Sequence, residues 1–476
     1  MIRPPVIVVA ALLLALVGAG EATRPVRSGP VGATSAPVAG ALVVCPEIDG
    51  AAVIAGSSGA GPGTLRARTL DGAYAVLPVT GAGQLAVVDR SSGAALVAAS
   101  GAVAGGLGVE LRSRDLDGPV RGLSALRCSP AGTSTWFVGG ATVVGDSAQL
   151  VLANPDDSPA LVDLTSWSAT GPVERRPGRA IAVPAHGRTV VELDTVAPDR
   201  ELLALHVQAV RGRVAPALRH SRFDGRVPRG TDWVPVSPPP AREVLVPGLP
   251  SGPGRRTVIV TNPGPDATTA VLSLLTGDGE VDLDPMVVPP GTSVAREVSE
   301  ELAKTSAAVR VRSSDGPVLA AGFVYDLQDK GTGGVRELAW AGAATPLSGP
   351  ALLADITLTP NAEVTLLLSA PETDASAELV ALPVVGQDGP LPATRSIQVP
   401  AGTTVAVRLS TLLPSGSTGR LALELRPSGG PLVAARYLRE RSGAGPLTAM
   451  LPVLSGQPRV RRPAVRQDQL AGRPSG

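Results

Sequence analysis

The chain has 476 residues, 44% hydrophobic and 17% charged, enough apolar mass for several cores of ordinary domain size rather than one. Forty-two Lys plus Arg against 41 Asp plus Glu leave a net charge of +1, so no general field draws a polyanion and nucleic-acid binding is disfavoured. Aromatic residues make up 2% of the chain beside 56 Gly and 47 Pro, and repeated Val/Leu/Ile alternation argues for many short strands joined by turns rather than disorder.

The N-terminus places Arg3 before an apolar run from Val6 to Gly20. At about 1.5 Å per residue this run makes roughly 22 Å of helix, short of the ~30 Å hydrocarbon core. A signal peptide over 1–22 is therefore expected, cleaved rather than retained as an anchor, with export to the extracytoplasmic side. Residues 23–40, rich in Pro, Gly, Ser and Ala, read as a flexible spacer. Cys45 and Cys128 are the only cysteines, and in an exported chain they are expected to pair. A lipidation box ending at Cys45 is the competing reading; Val44 is large where such a box needs a small residue, and Cys45 lies far beyond the apolar run.

From here the chain repeats itself. Alternating strands end at Asn154-Pro155, Asn262-Pro263 and Ala370-Pro371, and Pro155, Pro263 and Pro371 stand 108 residues apart in both intervals. A second strand follows each: Ala160 to Leu164, Ala270 to Leu274 and Ala377 to Leu382. A Val-Pro turn closed by Gly187, Gly291 or Gly402 then leads into another alternating run, with Pro presetting one φ and Gly supplying the awkward one. Gly-Pro entries at Gly118, Gly316 and Gly430 extend the pattern to a divergent first copy. Trp136, Trp233 and Trp340 read as anchors opening successive copies, with Met450 at the corresponding place near the end.

Units of this size are expected to be immunoglobulin-like or fibronectin-like β-sandwiches. The expected boundaries are 41–135, 136–232, 233–339 and 340–456, with a disordered basic tail over 457–476. Each unit is expected to close its own core, as beads in a row, so that 233–339 folds alone. The Trp136 to Gly140 opening, the Leu152 to Pro155 strand end and the Val-Pro-x-Gly turns resemble an actinobacterial family of secreted proteins known only as a domain of unknown function. The resemblance covers about 40 to 455; it implies an extracytoplasmic envelope protein and supplies no catalytic residue.

Residues capable of chemistry are sparse. His186 lies in a turn, and His206 and His220 lie in strand patterns, none at metal-ligand spacing from a Cys or carboxylate. Gly56 to Ala60 misses the nucleophile-elbow spelling by one residue, and neither Lys304 nor Lys330 sits in a phosphate loop. Asp278, Glu280, Asp282 and Asp284 alternate along one strand face; an edge strand guarded by charge is favoured over a calcium site. Trp167 is the one aromatic unmatched between copies and so a glycan-stacking candidate. No catalytic, cofactor or metal residue is assigned. The expected function is a non-enzymatic envelope scaffold or interaction module whose partner is an envelope protein or a cell-wall polymer. The alternative is a glycan-active enzyme drawing on Asp224, Asp326 or the run at Asp278.

Overall fold

A computed structural model describes residues 34–46, 51–59, 61–77, 85–88, 93–173, 178–314, 316, 319–328, 336–382, 394–412, 419–456 and 459–462. The expected signal peptide, most of the spacer and the tail beyond 462 lie outside the described residues. The fold is all β, with antiparallel sheets packed in pairs. The chain divides into a main body, Val38–Pro458, and a second unit whose described residues are Thr34–Pro37 and Arg459–Arg462. In that unit Thr34–Pro37 pairs antiparallel with Arg459–Arg462, so these parts of the expected spacer and tail are strands.

The main body contains four sandwiches. In the first, Gly40–Cys45, Ala95–Gly101, Gly63–Thr69 and Ala75–Val76 form one sheet. Leu85–Val88, Ala52–Ser57, Leu107–Asp115 and Gly122–Arg127 form the other. The remaining three repeat this two-sheet plan, spanning Ser134 to Ser237, Glu243 to Gly342 and Ala351 to Val453. Strand alternation sets their cores: Val258 and Val260 face the interior of the third sandwich, whereas Ile259 between them packs into the core cluster of the second.

The recurring turn motifs are fasteners. Asn154 is fully buried; its Nδ2 donates to Ser158 O and Val183 O while its Oδ1 accepts from Asp156 N. Asn262 does the same with Asp266 O, Val288 O and Gly264 N. Each side chain thereby clips the loop begun by Pro155 or Pro263 to the following Val-Pro turn. In the fourth sandwich Ala370 lacks that side chain, and Asp374 Oδ1 accepts from Ala401 N instead.

Two expectations are corrected. Trp233 and Trp340 do not open the third and fourth units: each lies on a late strand of the preceding sandwich, held there by antiparallel pairing with Arg219 and Val324. Trp136 does lie on the first strand of its sandwich. Nor are the sandwiches beads in a row. Their closing strands, Gly122–Arg127, Val227–Val234, Arg336–Gly342 and Gly445–Val453, touch in a cycle in which first meets second, second third, third fourth, and fourth first again. A parallel bridge from Ser168 to Thr292 even joins sheets of the second and third sandwiches into one. A fragment 233–339 starts inside one closing strand and ends inside another, so it cannot complete either.

The cycle follows from apolar residues on the outward sheet faces. Leu126, Val151, Ala217 and Trp233 cluster between first and second sandwiches, and Ile259, Val324, Leu338 and Trp340 join the core of the second. Leu245, Leu275, Ala308 and Val433 fill the third seam, and Ile54, Leu85, Leu352, Ala354, Leu382 and Ala422 the fourth. Burial at about 25 cal/mol per Å² makes each seam part of the stability of its neighbours. Urea unfolding followed by circular dichroism should therefore show the main body melting in one transition. Ile259→Ala should move that whole transition, lowering stability by about 2 to 5 kcal/mol; a shift confined to one of several separate transitions would contradict the shared seams.

Cys45 and Cys128 are bonded in the first sandwich, 83 residues apart in sequence. Closing a loop of that length stabilises by roughly 4 to 5 kcal/mol in the chain-entropy model. The urea midpoint should fall accordingly in reductant, and equal midpoints with and without it would show that the bond contributes nothing.

Candidate functional site

A group of buried ionisable side chains lies where the closing strands converge. Asp232 on the second closing strand is fully buried, and its two carboxylate oxygens divide between neighbours. Oδ1 accepts from Ala125 N of the first closing strand at 3.3 Å, and Oδ2 from Trp340 N of the third at 3.0 Å. Beside it Ser124 Oγ donates to Thr231 O at 2.8 Å. Neighbouring strands that do not share a sheet ladder have unanswered N–H groups, and one carboxylate answers a donor on each side.

Glu337 on the third closing strand is also fully buried and receives Arg121 Nη1 on Oε2 at 2.8 Å. Arg121 Nη2 donates in addition to Ala444 O at 3.0 Å, so a residue of the first sandwich ties the third to the fourth. The backbones approach closely enough here to require glycine. Gly230 has φ +123°, and a Cβ on it would stand 2.6 Å from Leu338 N and 3.0 Å from Glu337 Oε1.

Burial pushes the Asp232 carboxyl well above the usual carboxylate range, with the N–H groups of Trp340, Trp233 and Ala125 opposing it in part. Burial also raises Glu337; Arg121 pulls it down and the negative charge of Asp232 pushes it further up. These shifts arise from desolvation of groups sealed between sandwiches.

A second polar group fastens the second sandwich to the third. His220 is fully buried; Trp340 Nε1 donates to its Nδ1 at 3.3 Å and its Nε2 stands 2.9 Å from Asp146 Oδ1. These partners assign the proton to Nε2, and burial lowers the imidazole pKa despite the opposing pull of Asp146. Arg222 bridges Asp146 of its own sandwich and Asp326 of the third. The constellation resembles an acid–base relay in composition, yet its tryptophan donor occupies the nitrogen that a base would use.

The sequence candidates are dispersed. Trp167 is 7% exposed; it stacks on Trp136 at 5.0 Å, and Trp136 stacks on His206 at 4.5 Å, making a wedge on the first sheet of the second sandwich. His186 occupies its turn at φ +47°, 2.6 Å from Asp157. Ser57 is buried, its Oγ donating to Val103 O at 2.6 Å. Gly279–Asp282 is an edge strand, with Glu280 bound by Arg310 and Asp282 by Ser273; Asp278 and Asp284 flank it. Asp224 pairs with Arg229, and Asp326 with Arg222 and Arg255. Among the described residues no three His, Cys, Asp or Glu side chains cluster as metal ligands. Sequence reading missed Asp232, Glu337 and Arg121. The available signal was a carboxylate beside a tryptophan-bearing apolar strand end at Asp232 and Glu337, whereas Arg121 stands just before its strand.

The model of a family described as "Family of unknown function (DUF5719)" matches residues 85–410. No curated protein matches the chain. Among solved structures, Thermotoga maritima 1070 is 15% identical over 22% of this chain and 94% of its own, with a TM-score of 0.19. A glycosyl hydrolase family 2 member from Bacteroides cellulosilyticus is 8% identical over 47% of this chain and 30% of its own, at 0.11. A glycoside hydrolase family 32 protein from Bifidobacterium adolescentis is 12% identical over 90% of this chain and 98% of its own, at 0.13. Likenesses this weak carry no argument about activity.

Asp232 and Glu337 hold protons more tightly in the folded chain than in the unfolded one. Their contribution is therefore fully present below the ordinary carboxylate range, about pH 4, and is lost as pH rises through the raised folded values. Asp232→Asn and Glu337→Gln should each flatten the fall of stability with rising pH, read from urea midpoints. Asp232→Ala should cost about 2 kcal/mol near pH 5, because two backbone N–H groups lose their acceptor. A wild-type pH profile identical to that of both amide variants would rule out titration of Asp232 and Glu337.

Proposed function

The chain belongs to the DUF5719 family of unknown function, and we propose that it works as a non-catalytic scaffold outside the cytoplasm, presenting its outer strands and loops to an envelope protein or a cell-wall polymer. One observation carries this reading: the buried titratable groups Asp232, Glu337 and His220, each displaced by desolvation, are sealed from solvent and committed to ties between sandwiches. A catalytic acid or base must reach a substrate, whereas a fastener must not reach water. The four-membered cycle of closing strands supplies rigidity, and a rigid body presents a fixed surface with little ordering cost on binding.

Placement outside the cytoplasm is supported by the Cys45–Cys128 bond, a pairing that persists in oxidising compartments. No helix among the described residues is long and apolar enough to cross a membrane. The apolar run Val6 to Gly20 is the export signal in this reading.

Purified full-length protein should co-sediment with isolated cell-wall polymer or retain a specific envelope protein, and release no soluble fragments from that polymer during prolonged incubation. Progressive release of sugars or peptides, abolished by a substitution such as Asp326→Asn, would replace the scaffold reading by an enzymatic one. Recovery of the protein with reduced cysteines from the cytoplasmic fraction would remove the assignment outside the cytoplasm.

A further inference from the structure

Positive charge collects on the unit outside the main body. There Thr34–Pro37 and Arg459–Arg462 pair antiparallel in a two-stranded ribbon that joins no other sheet. Residues 23–37 contain Arg24 and Arg27 and no acidic residue, and residues 459–476 contain Arg459, Arg461, Arg462, Arg466 and Arg473 against Asp468 alone. The stretch between these segments is net acidic, although the whole chain carries +1. The near-neutral total therefore conceals a segregation of charge. Ser35 and Arg459 are 424 residues apart in sequence, and strand pairing gathers the two basic segments into one element.

The chemistry of the ribbon narrows what it can hold. Arg459 is exposed; its Nε donates to Ser35 Oγ at 2.8 Å and its Nη2 to Ser35 O at 2.9 Å. Both acceptors are neutral, so these bonds hold the guanidinium against the ribbon and leave its charge uncancelled. Positions 459 and 461 lie two residues apart on an extended strand, which spaces them by about 7 Å. A row of cationic positions at that pitch suits a linear chain with a charge on each repeat better than a lone small anion. Pro37 lies in one strand, and Pro458 and Pro463 bracket the other; lacking N–H groups, they disfavour addition of a strand from another protein. Val460 is the one large aliphatic residue of the ribbon, too little apolar surface for a lipid interface. A ribbon of two strands is marginally stable by itself in water, so a partner that neutralises its charge also orders it.

We infer that this ribbon is the element through which the chain holds a linear polyanion of the cell wall, its arginines meeting phosphate or carboxylate groups on successive repeats. The inference rests on the reading of the chain as a scaffold outside the cytoplasm and names the partner's chemistry. Guanidinium binds either anion through two parallel N–H groups, and the arginines of the flanking segments strengthen the field along the ribbon. The net acidic main body disfavours the same polymer elsewhere.

Binding of labelled polymers to the full-length protein tests this. Long-chain polyphosphate and polygalacturonate should bind, the tighter of the two identifying the anion, with affinity falling steeply as salt rises; neutral dextran should not bind. Arg459→Gln, Arg461→Gln and Arg462→Gln combined should weaken binding roughly tenfold or more and reduce the slope of log affinity against log salt by about two to three, with the urea midpoint of the main body unchanged. Arg211→Gln, Arg312→Gln and Arg441→Gln combined remove the same charge from exposed positions of the main body and should change affinity by about twofold at most. Absence of binding to both polyanions, equal losses in the two triple variants, or tighter binding to phosphatidylglycerol vesicles than to either polymer would each overturn the inference. A ribbon variant that still binds isolated wall polymer as wild type does would refute the ribbon and leave the scaffold reading standing. Release of soluble fragments from that polymer, with the tenfold loss in the ribbon variant retained, would refute the scaffold and leave the ribbon.

Discussion

A single carboxylate that answers backbone donors on both sides of its strand is the constraint around which the main body is arranged. Asp232 accepts from Ala125 N and Trp340 N, so three closing strands that belong to three different sheets are fixed relative to one another. Ladder hydrogen bonds do this work within a sheet. Between edges that meet without a ladder, some side chain has to satisfy the exposed N–H groups or water must enter. Arg121 completes the arrangement by reaching Glu337 of the third sandwich and Ala444 O of the fourth. The charges are confined to a few positions, and apolar seams surround them.

Three of the seams also depend on a local departure in, or just after, the first strand of the sandwich that receives its neighbour. A Cβ on Gly139 would stand 2.6 Å from the Trp340 ring, and one on Gly248 would stand 2.6 Å from Ala435 Cβ. At the corresponding place in the fourth sandwich the bulge at Asp355 receives Glu110. Small residues and bulges permit close approach of another sheet. The recurring Gly and bulge positions therefore belong to docking between sandwiches and not to any one sandwich alone.

This arrangement changes the functional weight of the chain's few chemically capable residues. Trp340 and His220 form a hydrogen-bonded pair across a seam, Trp233 fills another, and the carboxylates with the greatest pKa displacement hold closing strands. Aromatic and ionisable residues are scarce here, and the structure uses them where apolar packing alone would leave the register of neighbouring sheets undetermined.

Local chemistry was legible in the sequence. Alternation placed Val258 and Val260 on one side of their strand and Ile259 on the other, and the Asn-Pro and Val-Pro-x-Gly spellings marked turns whose Asn side chains do clip them shut. The Cys45–Cys128 pair followed from there being only two thiols in the chain. What alternation cannot report is what an outward face meets. Period two separates the two sides of a strand, but a residue buried against its own sandwich and one buried against a neighbour are both apolar, so Trp233 and Trp340 read as the start of one unit when pairing makes them the end of another. Asp232, Glu337 and Arg121 lie far along the chain from the partners that explain them: Asp232 is 107 residues from Ala125, and Arg121 is 216 from Glu337 and 323 from Ala444. Closure of the cycle, and with it the meaning of those charges, was decided only by tertiary structure, because it depends on complementarity between faces that no local pattern brings together.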